Sequence, residues 1–165
     1  MKTSITLSLI DIFILFLYLF AIIALNIRLK RTINSKELNR FYYPGWIYKV
    51  AFSLLFALVY LYILGGGDIN AYWDGASCLA ELFYTDPKSY FAEIIQTKRD
   101  LGITHHFNSS TGFPPGWIWR EEEAWIATKI ISFIAIITFK GFWSSTIILA
   151  SIAFWVSWIL SVKLN

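Results

Sequence analysis

The chain has 165 residues, of which 57% are hydrophobic, 19% aromatic and only 15% charged. A soluble domain carries about 25% charged residues. This chain therefore lacks the charge to coat a water-facing surface, and its long unbroken apolar runs read as an all-α integral membrane protein. The single cysteine, Cys78, excludes a disulfide framework and any multi-cysteine metal site, while the net charge of +3 comes largely from one cluster that bears on topology, not on nucleic acid.

The first apolar stretch covers residues 7–27, with Asp11 near its outer end. At 1.5 Å per residue it is about 30 Å long, one hydrocarbon core. It is too long for the apolar part of a signal peptide, and no small-residue cleavage site precedes the basic cluster, so it is expected to stay in the mature chain. Arg28, Lys30, Arg31, Lys36, Arg40 and Lys49 follow, against Lys2 alone ahead of the span. The positive-inside rule then places the loop 28–49 in the cytoplasm and the N-terminus outside. Phe41, Tyr42, Tyr43 and Trp46 stand where an interfacial aromatic belt is expected.

A second span is expected over residues 47–64, ended by Gly65-Gly66-Gly67, since each glycine costs a helix nearly ~1 kcal/mol relative to alanine. An external loop region, 65–123, holds most of the acidic residues. Asp68 can cap a helix over 68–84 whose stripe is Ile69, Tyr72, Trp73, Ala76, Leu79 and Phe83. Asp86-Pro87 reads as an N-cap with proline at the first helical position, opening a helix to about residue 99. Residues 100–117 carry Gly, Ser, Asn and Pro-Pro without periodicity and read as a loop.

Residues 124–139 are apolar but carry Lys129 and extend only about 24 Å, short for a crossing. They read as a helix in the outer interface, introduced by Glu121-Glu122-Glu123 at its positive dipole end; a four-span chain is the alternative. Residues 142–162 are uncharged and form the last span, with Lys163 in the cytoplasm. The expected domain is thus one membrane unit of about three spans, with no internal repeat.

Chemistry is sought in the external region, because the spans offer no paired polar residues along a pathway; this also disfavours a transporter or channel. Asp11 reads as a solvated end residue. The informative segment is Gly65-Gly66-Gly67-Asp68-Ile69-Asn70-Ala71-Tyr72-Trp73-Asp74-Gly75. Its carboxylate Asp68 sits just past a spanning helix, with Tyr72 one turn above it and Asp74 on another face. Asp68 is either an N-cap or a general base at the lipid–water boundary that activates a hydroxyl towards a lipid-carried sugar.

The order of a basic-flanked span, Gly-Gly-Gly-Asp-x-x-x-Tyr, an amphipathic helix, Asp-Pro and a second helix resembles bacterial multi-spanning proteins similar to the GT-C superfamily of polyprenyl-phosphate-sugar-dependent glycosyltransferases. The segment Lys129-Ile130-Ile131-Ser132-Phe133, running through Thr138-Phe139 into the last span, is similar to their post-loop segment. The resemblance covers roughly residue 41 to the C-terminus. It implies a catalytic base at Asp68, with Tyr72 and Asp74 shaping the acceptor site. Several families of that superfamily have Asp-Glu here, where this chain has Asp68-Ile69. They also have many more spans, so the resemblance implies the N-terminal portion or a subunit of a larger protein at the outer face of a bacterial inner membrane. The reading from another class is a non-catalytic subunit packed against a larger membrane partner.

Trp117 and Trp119, beside Pro114-Pro115, are the best two tryptophans for glycan stacking; Trp125, Trp143, Trp155 and Trp158 read as interfacial belts. Asp100, His105 and His106 are a weak metal set, because adjacent histidines do not share a helix face. No cofactor is expected. A divalent cation at Glu121-Glu122-Glu123 is the minor alternative to a solvated helix start. Asn108-Ser109-Ser110 matches a glycosylation sequon, which matters only in a eukaryotic secretory context. No phosphate-cradling loop or nucleophilic triad is visible, and the bilayer is the one obligatory partner.

Overall fold

The computed structural model describes residues 9–31, 36–96 and 106–164. Among these every regular element is a helix: α1 Leu9–Arg31, α2 Lys36–Tyr62, α3 Gly67–Thr85, α4 Pro87–Ile95, α5 Gly116–Arg120, α6 Glu122–Ile137 and α7 Phe142–Leu164. Three are long and apolar enough to cross a membrane, over Leu9–Lys30, Asn39–Tyr62 and Phe142–Lys163. With three such helices the chain is a membrane protein. It divides into two compact units, one of Tyr60–Phe142 and one made of Thr6–Val59 with Trp143–Asn165.

In the second of these units, large apolar side chains such as Phe13, Phe16, Phe20, Phe52 and Leu160 are exposed. A water-soluble protein does not tolerate that density, whereas hydrocarbon solvates it. The buried core is a seam of Ile22, Tyr42, Trp46, Val50, Ile147, Ala150 and Phe154. Polar bonds tie the three helices within it. Asn26 is fully buried, and its Oδ1 accepts from the Tyr42 hydroxyl at 2.8 Å and from Trp155 Nε1 at 2.9 Å, while Trp46 Nε1 donates to Ser151 Oγ at 3.0 Å. Without a hydrophobic force between helices in lipid, such bonds and close packing hold the helices together.

The helix α2 starts well before the expected residue 47. It runs as one helix from Lys36 through Pro44, although proline removes a donor and crowds the carbonyl four residues back. The aromatic belt residues Tyr42 and Trp46 therefore lie on a helix face, and both are buried on it.

The unit Tyr60–Phe142 is built on α3 and α6, with α4 packed beside α3 and α5 mainly against α6. Its core is Leu79, Leu82, Tyr90, Phe107, Ile118, Ala124 and Trp125. The α3–α6 contact is close at Gly75, where a Cβ would lie 2.9 Å from Cγ2 of the buried Thr128. Asp86 caps α4 as its position before Pro87 predicts, accepting from the backbone N–H groups of Lys88 at 3.1 Å and Ser89 at 3.3 Å and from the Ser89 hydroxyl. These bonds hold the Asp86 carboxyl below the usual carboxylate range. α4 ends at Ile95 and not near residue 99, which lies outside the described residues. The loop expected over 100–117 is shortened at its end by α5, a single turn beginning at Gly116.

Candidate functional site

The glycines after α2 set the position of Asp68. Gly65, Gly66 and Gly67 have φ of +76°, +86° and +43°, the left-handed region that side chains avoid. The Gly66 N–H donates to the Tyr60 carbonyl at 2.8 Å, and the Asn70 N–H returns to the Gly66 carbonyl at 3.4 Å. A Cβ on Gly66 would collide with the Asn70 side chain. The chain thus turns within a few residues and starts α3 at Gly67.

This corrects the expected cap. Gly66 is the N-cap of α3, and Asp68 lies one residue inside the first turn. Its carboxylate is exposed and, among the described residues, has no hydrogen-bond or ion-pair partner. The positive end of the helix dipole favours a carboxylate here. An Asp68 carboxylate that is not engaged in capping is available to a ligand or to water.

One turn on, Tyr72 is half-buried, and its ring meets that of Trp117 edge to face, 6.1 Å between centroids and 78° between planes. Trp117 reaches this position because Pro114-Pro115 leads into α5 and Ile118, fully buried, anchors that turn in the core. Trp117 remains 39% exposed, which leaves ring surface open. Trp119 is half-buried against the core, with the Arg120 guanidinium 5.9 Å from its ring. Asp74 comes six residues after Asp68, about 120° away around the helix. It lies towards Cys78, whose thiol is pushed up to about 11 by burial first and by the Asp74 charge second. Thus Asp68, Tyr72 and Trp117 form one surface, and Asp74 belongs to another.

A second cluster in this unit escaped sequence reasoning. Glu93 of α4 is 1% exposed, and its Oε1 has no hydrogen-bond partner. The His106 imidazole stands beside it, with Nε2 3.9 Å from Oε1. Burial pushes the Glu93 carboxyl up, and the charges of His106 and Lys129 oppose that shift. Lys129 donates to the carbonyls of Gln96 at 2.8 Å and Ile94 at 3.4 Å, closing the C-terminal end of α4; burial pulls its ammonium down, and Glu93 opposes this. Beside them the Tyr90 and Ser132 hydroxyls are 3.1 Å apart. The sequence signal was a lone lysine in an apolar helix, which needs a partner.

Asp100 and His105 lie outside the described residues, and His106 faces Glu93. Glu121, Glu122 and Glu123 are exposed at the start of α6. No group of three metal-ligating side chains occurs among the described residues. No family model, curated protein or solved structure matches this chain.

Proposed function

We propose that this membrane protein acts on a lipid-carried sugar at the outer face of a bacterial inner membrane, as the N-terminal part or a subunit of a glycosyltransferase-like protein. The observation that supports this reading best is the exposed Asp68 carboxylate, without a partner among the described residues, six residues after the second span ends at Tyr62, with the Tyr72–Trp117 aromatic pair one turn further along α3. Asp68 accepts the proton of an acceptor hydroxyl as that oxygen attacks the sugar carbon, and the polyprenyl phosphate leaves with the bonding electron pair. An exposed carboxylate is a weak base, so its contribution comes from position, and general-base catalysis of this kind is typically worth about 10²–10⁴-fold. The apolar lipid chain stays in the bilayer while Trp117 and Tyr72 offer ring faces to the sugar. Asp74 and Trp119 border the acceptor from neighbouring surfaces, and the remaining spans of the donor site come from a larger polypeptide.

The test is sugar transfer by the complete protein or complex carrying Asp68→Asn. Transfer is expected to fall by at least about 100-fold with membrane abundance unchanged. Because Gly66, not Asp68, is the N-cap, the substitution leaves the start of α3 intact. Asp74→Asn is the control and retains most activity. Full activity in Asp68→Asn refutes the assignment.

A further inference from the structure

A cavity of about 190 Å³ opens at one end of the unit made of Thr6–Val59 and Trp143–Asn165. Its walls include Leu29 near the end of α1, Tyr42 near the start of α2, and Trp155, Trp158, Val162 and Lys163 of α7. A water molecule takes about 30 Å³ of liquid, so the space accommodates a run of hydrocarbon. Among the described residues the walls are apolar and aromatic apart from one charge, Lys163, and none is acidic. More cations sit at the same end: Arg28 and Arg40 are exposed, and Lys30 lies 4.2 Å from the Tyr43 ring.

Trp158 precedes Lys163 by five residues, about 7 Å along the helix. That matches the thickness of one headgroup layer, roughly 5–7 Å. A molecule seated with its charge at Lys163 would bring its ester or phosphate oxygens to the depth of Trp158 and its chain into the cavity.

We propose that this cavity binds one acidic phospholipid, its phosphate at Lys163 and an acyl chain along Leu29, Trp155 and Val162. Basic pockets between spanning helices suit anionic headgroups for the same electrostatic reason. A zwitterionic lipid fills the cavity equally well but gains less from the cations at its rim. The site is independent of the chemistry assigned to Asp68.

The experiment uses the full chain in nanodiscs of equal phosphatidylglycerol and phosphatidylcholine, released into mild detergent with about 0.5 M salt, which screens surface-held lipid. Native mass spectrometry then counts the lipid retained. The expected result is one phosphatidylglycerol per chain in clear excess over phosphatidylcholine. Lys163→Gln, at an exposed helix end and harmless to folding, should lower that excess about fivefold. Val162→Trp, which fills the cavity from its rim, should remove the retained lipid. Equal retention of the two lipids, no lipid retained after the salt wash, or an unchanged excess in Lys163→Gln each overturns the proposal. So does a Val162→Trp chain that elutes like the parent and keeps its lipid.

Discussion

Gly75 controls how closely α3 and α6 approach, and through α5 it bears on the position of Trp117. A Cβ at Gly75 would lie 2.9 Å from Thr128 Cγ2 and 3.6 Å from Ile118 Cγ2. Thr128 is fully buried and β-branched, and its Oγ1 donates to the Ala124 carbonyl at 2.8 Å, so its side chain cannot rotate away cheaply. Over-packing of this sort costs about 1–3 kcal/mol. Replacing a helical glycine by alanine returns about 1 kcal/mol. Gly75→Ala should therefore destabilise the unit by up to about 2 kcal/mol. Thr128→Ser removes the clashing methyl and keeps the hydroxyl bond, at a cost of about 1 kcal/mol for one buried methyl. In the Thr128→Ser background the same Gly75→Ala change meets no methyl and should stabilise. The cycle, read from unfolding in detergent micelles by tryptophan fluorescence, should give a coupling energy of about 1–3 kcal/mol. Additive effects within about 0.5 kcal/mol would show that the methyl contact does not set the helix separation.

The pH dependence of this unit carries the sign of Glu93. Its folded-state pKa is raised, so stability is lost as pH rises from the ordinary carboxylate value through the folded one. Glu93→Gln should abolish that slope, melting above the parent at pH values above neutrality and with it under acid conditions; a parent-like slope refutes the burial argument. Asn26→Leu leaves the Tyr42 hydroxyl and the Trp155 N–H without their acceptor and should cost about 1–2 kcal/mol in a denaturing-detergent titration, taking about 0.6 kcal/mol as the mean for one such bond. In a Cys78→Ala background, Arg40→Cys and Asn108→Cys should react with an impermeant thiol reagent from opposite sides, Asn108→Cys from outside. If α6 lies in the interface, Ile126→Cys and Ile130→Cys on its exposed face should react from the Asn108 side. Their protection, with residue 163 also on that side, would indicate four spans. Thr128 and Lys129 cannot report on this, because both are buried against the rest of the unit.

What the sequence displayed was whatever depends on neighbours along the chain. Apolar runs placed three spans, and Asp86 followed by Pro87 placed the start of α4, because a cap needs only the next three residues. The start of α2 was hidden because Lys36–Arg40 is polar and Pro44 follows, yet the helix continues across the proline. Asp68 looked like a cap until the left-handed Gly66 took that place, a backbone feature that side-chain pattern does not reveal. Polar pairings across distance were invisible. The carbonyl that receives Lys129 belongs to a residue 33 positions earlier, and Asn26 draws its donors from 16 and 129 positions away. Each of these residues sits in an apolar stretch where only the fold supplies the partner. The surface of Asp68 with Tyr72 was legible as a one-turn spacing, whereas the approach of Trp117 required α5, packed mainly against α6, to reach α3.

The most direct test of a sugar site beside Asp68 is photo-crosslinking in bacterial membranes. A benzophenone amino acid would replace Trp117, and in a second chain Phe91, which is exposed on α4 away from Asp68. Irradiation of the Trp117-substituted chain should yield an adduct that carries both polyprenyl phosphate and sugar, and the Phe91-substituted chain should yield none. Equal adducts at both positions, or none at Trp117 while the protein inserts normally, would contradict a lipid-carried sugar at this surface.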